Sequence, residues 1–94
     1  MADWKELSGS RKIEDGNPMY LDYVVTLTAT KGTNPTRPVQ GSVINTATGG
    51  AAFGTTNGAY TLDGEPQAVQ ISEIEKVTPT KSHCTVRYRA LYVE

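Results

Sequence analysis

The sequence predicts an all-β domain: a small antiparallel sandwich or barrel of about five to seven short strands. Three observations carry that expectation. Threonine is the most frequent residue, and Thr, Val and Tyr suit pleated, half-buried surfaces. Two segments, YLDYVVTLTAT (20–30) and HCTVRYRALYV (83–93), alternate apolar and polar positions with a period of two. Between them, turn-forming Gly, Pro, Asn and Asp recur at short intervals.

Residues 1–19 read as an N-terminal arm or edge segment. Asp3 caps a short helical turn carrying Trp4 and Leu7, or WKEL forms an edge strand. SGSRKIEDGNP is loop-like, with Ile13 as its anchor. In 20–30, Leu21, Tyr23, Val25, Leu27 and Ala29 share one face, and Asp22, Thr26, Thr28 and Thr30 the other. One face therefore enters the core. KGTNPTRP ends the strand, because Gly32 and two prolines cannot continue a central one. A second strand is predicted over Val39–Asn45, where Gly41 marks a bulge or a close approach by another backbone.

TATGGAAFGTTNGAYTL, residues 46–62, raises the question of a ligand-cradling loop. It lacks the lysine of GxxxxGK[ST], the spacing of GxGxxG, and a following helix whose N-terminus would receive a phosphate. It reads instead as a joint, with a backbone nest for an anion as the alternative. Gly49-Gly50 and Asn57-Gly58 make turns, Phe53 lies on a loop or short strand, and a strand covers 59–62. Asp63-Gly64-Glu65-Pro66 turns again. QAVQISEIEKV (67–77) begins in strand phase at Val69 and Ile71, then slips to Ile74 and Val77. A β-bulge near Glu73 explains the slip better than a single helical turn. After the TPTK turn, Cys84, Val86, Tyr88, Ala90 and Tyr92 face inward, opposite Thr85, Arg87, Arg89, Leu91 and Val93.

GSVINTATGG…TTNGAYTL, within residues 41–62, resembles the strand-turn-strand of carboxypeptidase-regulatory-like and transthyretin-like β-sandwich modules. A GxV, a TG and a GxYxL segment recur there. The resemblance implies a transthyretin-like or immunoglobulin-like sandwich. AAFG stands where those modules carry a strand of alternating valines.

Ninety-four residues make a single domain, 1–94, with one modest core. Nine basic residues against ten acidic ones leave a net charge of −1, without the positive excess that displaces counterions from phosphate. No nucleic-acid partner is expected. No apolar run approaches the ~20 residues of a membrane span, and MADWKELSGSRK lacks the pattern of a secretory signal. A cytoplasmic or virion location follows as the expectation. Cys84 is the only cysteine, so no internal disulfide forms. His83 beside it, the only histidine, points to the opposite strand face, which argues against a Cys/His dyad or shared metal site.

Catalysis requires a positioned acid, base, nucleophile or metal. Glu14-Asp15, Asp63/Glu65 and Glu73/Glu75 are carboxylate pairs without further ligands nearby, and DGEP lacks the run of oxygens of a calcium loop. No cofactor, no metal and no enzymatic activity are expected. Glu73 and Glu75 are read as cross-strand partners of Arg87 and Arg89. The remaining signals concern surfaces. Five tyrosines and one tryptophan suit protein interfaces, although most of them must build the core. Arg87, Arg89, Leu91 and Val93, with Trp4, form the predicted interface. Phe53, Asn57 and Tyr60 are predicted loop contacts. The expected role is a non-enzymatic structural or assembly protein acting through protein–protein contacts. A phage tail, joining or decoration component, self-assembling or docked on a protein partner, fits this profile. The alternative is a small binding module or inhibitor that blocks a partner through a loop or sheet edge.

Overall fold

A computed structural model describes residues 4–30, 35–44 and 50–93; Asp3, Gly32, Asn45 and Gly49, named above, lie outside them. In chain order the strands are β1 (Lys5–Glu6), β2 (Lys12–Glu14), β3 (Tyr20–Ala29), β4 (Thr56–Asn57), β5 (Tyr60–Thr61), β6 (Gln67–Ile71), β7 (Glu75–Thr78) and β8 (Lys81–Leu91). All pairings are antiparallel, and no helix forms among the described residues. The all-β expectation holds, and WKEL resolves to the edge strand β1.

The centre of the molecule is the β3–β8 pair, in unbroken register from Tyr20↔Leu91 to Ala29↔Ser82. β1 and β2 both pair with the free side of β3, and β6 and β7 both pair with the free side of β8. The sheet is thus open, four strand positions wide, with no barrel closure. β4 and β5 make a separate two-stranded hairpin, turned at Gly58, whose φ of 62° is costly for any residue with a Cβ.

Strict alternation explains why one sheet face is buried. Leu21, Tyr23, Val25, Leu27 and Ala29 lie opposite Ala90, Tyr88, Val86, Cys84 and Ser82, and all ten are buried. Trp4, Ile44, Phe53, Leu62 and Ala68 complete the core. Each large aliphatic side chain removed from water contributes about 1.5–3 kcal/mol. The Trp4 indole N–H, which burial would otherwise leave unpaired, donates to the Thr36 carbonyl at 2.7 Å.

Several local expectations change. Residues 39–44 are not a strand; their backbone instead caps the edge of β6. The Gly41 N–H donates to the Ala68 carbonyl, and the Ala68 N–H to the Ser42 carbonyl. The strand-turn-strand expected across 41–62 is therefore reduced to the β4–β5 hairpin among its described residues. The phase slip in 67–77 is a break between β6 and β7 at residues 72–74, with register shifts at Ala68/Gln70 and Lys76/Thr78 rather than at Glu73. Ile13 is exposed on β2 and anchors nothing.

The described part of the glycine-studded segment, from Gly50 to Phe53, straps the core. Phe53 inserts between Tyr23, whose ring centroid is 4.4 Å away, and Tyr88, at 5.1 Å. Arg11 lies over the outer face of the Phe53 ring at 4.2 Å, held by Glu6 and donating to the Ala51 carbonyl. Gly50 fits beneath this arrangement: a Cβ there would lie 2.6 Å from a Glu6 carboxylate oxygen and 3.0 Å from Ile44 Cδ1.

Candidate docking surface

Arg87, Arg89, Leu91 and Val93 were expected to meet a partner from the last strand, and the end of that strand, β8, has backbone neighbours on both sides. The Tyr92 N–H donates to the Met19 carbonyl, the Val93 N–H to the Thr61 carbonyl, and the Asp63 N–H to the Leu91 carbonyl. This seam joins the large sheet to the β4–β5 hairpin. Only side chains, not backbone edges, are offered to a partner here.

Two of the predicted contact residues are core. Trp4 is 2% exposed and Phe53 9%, so neither presents a surface; the sequence could not separate a buried aromatic from an exposed one. Arg87, Arg89, Leu91 and Val93 do project from the outer face, but the two arginines are engaged. Their partner is Asp22, not Glu73 or Glu75. Arg89 grips it with two hydrogen bonds (2.8 and 3.1 Å), Arg87 adds one at 2.8 Å, and Arg87 also pairs with Glu14 at 2.9 Å. Glu73 instead lies 3.6 Å from Arg37, and Glu75 sits opposite His83. Asp22 is 3% exposed. Burial works to raise its pKa, but the hydrogen bonds and charge of Arg89 and Arg87 outweigh it and hold the carboxyl below its ordinary value. Register made this cluster: Asp22↔Arg89 and Val24↔Arg87 are cross-strand pairs, and Glu14 sits across from Asp22 on β2. The one carboxylate in the middle of 20–30, facing the same side as its threonines, was the signal available in the sequence.

Beyond the arginines the surface turns apolar. Met19 (69% exposed), Tyr60 (64%), Leu91 (53%) and Val93 (52%) lie on or next to the segments that form the seam between the two sheets. Asn57 and Tyr60, the other predicted loop contacts, flank a depression of about 530 Å³ lined by Asp15, Asn17, Pro18, Tyr60, Tyr92 and Val93. The Tyr60 and Tyr92 rings stand 5.3 Å apart, tilted by 47°. The Tyr92 hydroxyl donates to Asp15 Oδ1, and the Asn57 amide donates to Asp15 Oδ2 at 2.9 Å. The bond to Asp15 is the main cause of an upward shift of the Tyr92 pKa. These contacts fasten the 15–18 turn to the hairpin. A smaller depression, about 210 Å³, opens on the outer face where β6 breaks from β7 beside Thr85 and Arg87.

No match was found among protein-family models, curated proteins or solved structures. The surface must speak for itself. Among the described residues, no three His, Cys, Asp or Glu side chains converge as metal ligands would. Cys84 is buried, and burial is the main cause pushing its thiol pKa up, which is the opposite of a reactive thiolate.

Proposed function

We propose that this protein is a non-enzymatic structural or assembly subunit acting through protein–protein contacts, of the kind that phage tail, joining and decoration proteins supply. The observation that carries the reading is that four exposed apolar residues, Met19, Tyr60, Leu91 and Val93, lie on or next to the segments joined by the seam at one end of the sheet. Exposed apolar side chains collected beside aromatic and arginine residues are what interface centres are made of. A sandwich-like second layer of strap and hairpin would hold that end rigid. The capped β6 edge weighs against strand addition there, so docking is side chain to side chain.

The test is the double substitution Leu91→Asp with Val93→Asp. Both side chains are more than half exposed, so the unfolding midpoint should hold while self-assembly or partner capture is lost in light scattering. Equal loss of stability and assembly would sink the reading. A monomer at every concentration that nonetheless binds another protein tightly would favour the blocking module instead. Deleting the last strand residues is a poorer test, since Ala90 is core and Tyr92 pairs with Leu62.

A further inference from the structure

Twice in this fold, an arginine is held by one carboxylate and one aromatic ring. Glu6 grips Arg11 with two hydrogen bonds (2.8 and 2.9 Å) while the Phe53 ring lies 4.2 Å beneath the guanidinium. Asp22 grips Arg89 with two (2.8 and 3.1 Å) while the Tyr20 ring lies 3.8 Å away. The reason is general: a planar guanidinium satisfies a carboxylate edge-on and a π-face flat-on at once.

A third set of the same kind exists at the docking end. Asp15 lines a depression walled by the tilted rings of Tyr60 and Tyr92, and among the described residues no lysine or arginine pairs with it. Tyr92 and Asn57 each donate to a different Asp15 oxygen. A carboxylate has about four acceptor positions, so each oxygen keeps one, the pattern that a two-pronged guanidinium requires. Among the described residues no basic side chain lines the depression, and Asp15 gives it a negative charge.

We propose that the Asp15–Tyr60–Tyr92 depression is a receptor for an arginine side chain presented by a protein partner. The proposal rests on the docking reading above and supplies the chemistry of one contact. Asp15 takes the two N–H groups, Tyr60 supplies the ring face, and Val93 and Pro18 cover the aliphatic stem. The two tilted rings form a V rather than a flat platform, which suits a compact cation better than a sugar ring.

The experiment is a nuclear magnetic resonance titration of the isotope-labelled full chain with N-acetyl-arginine methylamide. The neutral citrulline counterpart and the blocked lysine are run beside it. The expected result is a saturable, millimolar response confined to the amides of residues 15–17, 57–60 and 92–93, absent with citrulline and weaker with lysine. Tyr60→Ala, at an exposed position, and Asp15→Asn should each weaken it about fivefold or more. No saturable response, an equal response to citrulline, a stronger one to lysine, or unchanged affinity in either variant overturns the proposal. The titration needs no partner. A null result with assembly still abolished by the Leu91/Val93 substitutions removes the arginine receptor and keeps the docking surface. An intact titration with assembly unaffected by those substitutions does the reverse.

Discussion

Thr26 and Thr85 lie directly opposite each other in the sheet, and each meets a serine on its far side instead of a continuous strand. The Ser10 hydroxyl accepts from the Thr26 N–H at 3.1 Å and lies 3.2 Å from the Thr26 carbonyl. The Ser72 hydroxyl accepts from the Thr85 N–H at 2.9 Å, and the Ser72 N–H donates to the Thr85 carbonyl at 2.9 Å. Both edges of the sheet break at this one level, β1 from β2 and β6 from β7. Edge strands this short are poor templates for another chain, a common defence against edge-to-edge aggregation.

The two serines should not be equal. The Ser10–Thr26 bonds are partly buried and the Ser72–Thr85 bond is exposed. Ser10→Ala should cost about 1–2 kcal/mol, because an unpaired N–H is left with little water. Ser72→Ala should cost about 0.5 kcal/mol. Urea unfolding of the pair checks the order; equal losses would mean that the Thr26 edge is as wet as the Thr85 edge.

Asp22→Asn removes a buried charge that holds two arginines. The arginines are about one-third exposed, so the loss should be near 2 kcal/mol rather than the 3–5 of a fully buried pair. Because the folded-state pKa of Asp22 lies below the unfolded one, its contribution is present above pH ~4 and lost as pH falls through the folded value. Acid unfolding should therefore be shallower in Asp22→Asn, measured as the midpoint against pH.

Burial pushes the Tyr88 hydroxyl up to about 12. A raised folded pKa means that its contribution is complete below pH ~10 and vanishes as pH climbs through 12. Ultraviolet titration should show Tyr88 ionising only as the sheet is lost. Tyr88→Phe should carry the fold to higher pH than the parent.

Gly50→Ala tests the strap. Its Cβ would collide with the Glu6 carboxylate and press on Ile44, and Glu6 cannot retreat without releasing Arg11 from the Phe53 ring. The expected loss is about 1–3 kcal/mol, in the range of an overpacked core. The single indole of Trp4, buried nearby in the same core, reports the change by fluorescence.

The two long strands were legible because alternation is local: residues 20–29 and 81–91 carry their faces in their own sequence. The Asn57-Gly58 turn was legible for the same reason. What failed depended on distant segments. Val39–Ile44 alternates plausibly, yet outside the segment its backbone bonds only to Ala68 among the described residues and forms no ladder. Arg87 and Arg89 were matched to nearby glutamates, whereas their partner arrives from far upstream through the β3–β8 register. Phe53 and Trp4 differ from Tyr60 by burial alone, and burial belongs to the assembled layer.

The β3–β8 ladder has a kinetic corollary. Everything from Thr30 to Thr80 lies between its two halves, so neither central strand, β3 or β8, is flanked on both sides until that long stretch has doubled back. Closing such a span costs configurational freedom before any rung rewards it. Refolding should accordingly be sluggish for so small a chain, passing through one cooperative, late-forming barrier rather than growing strand by strand.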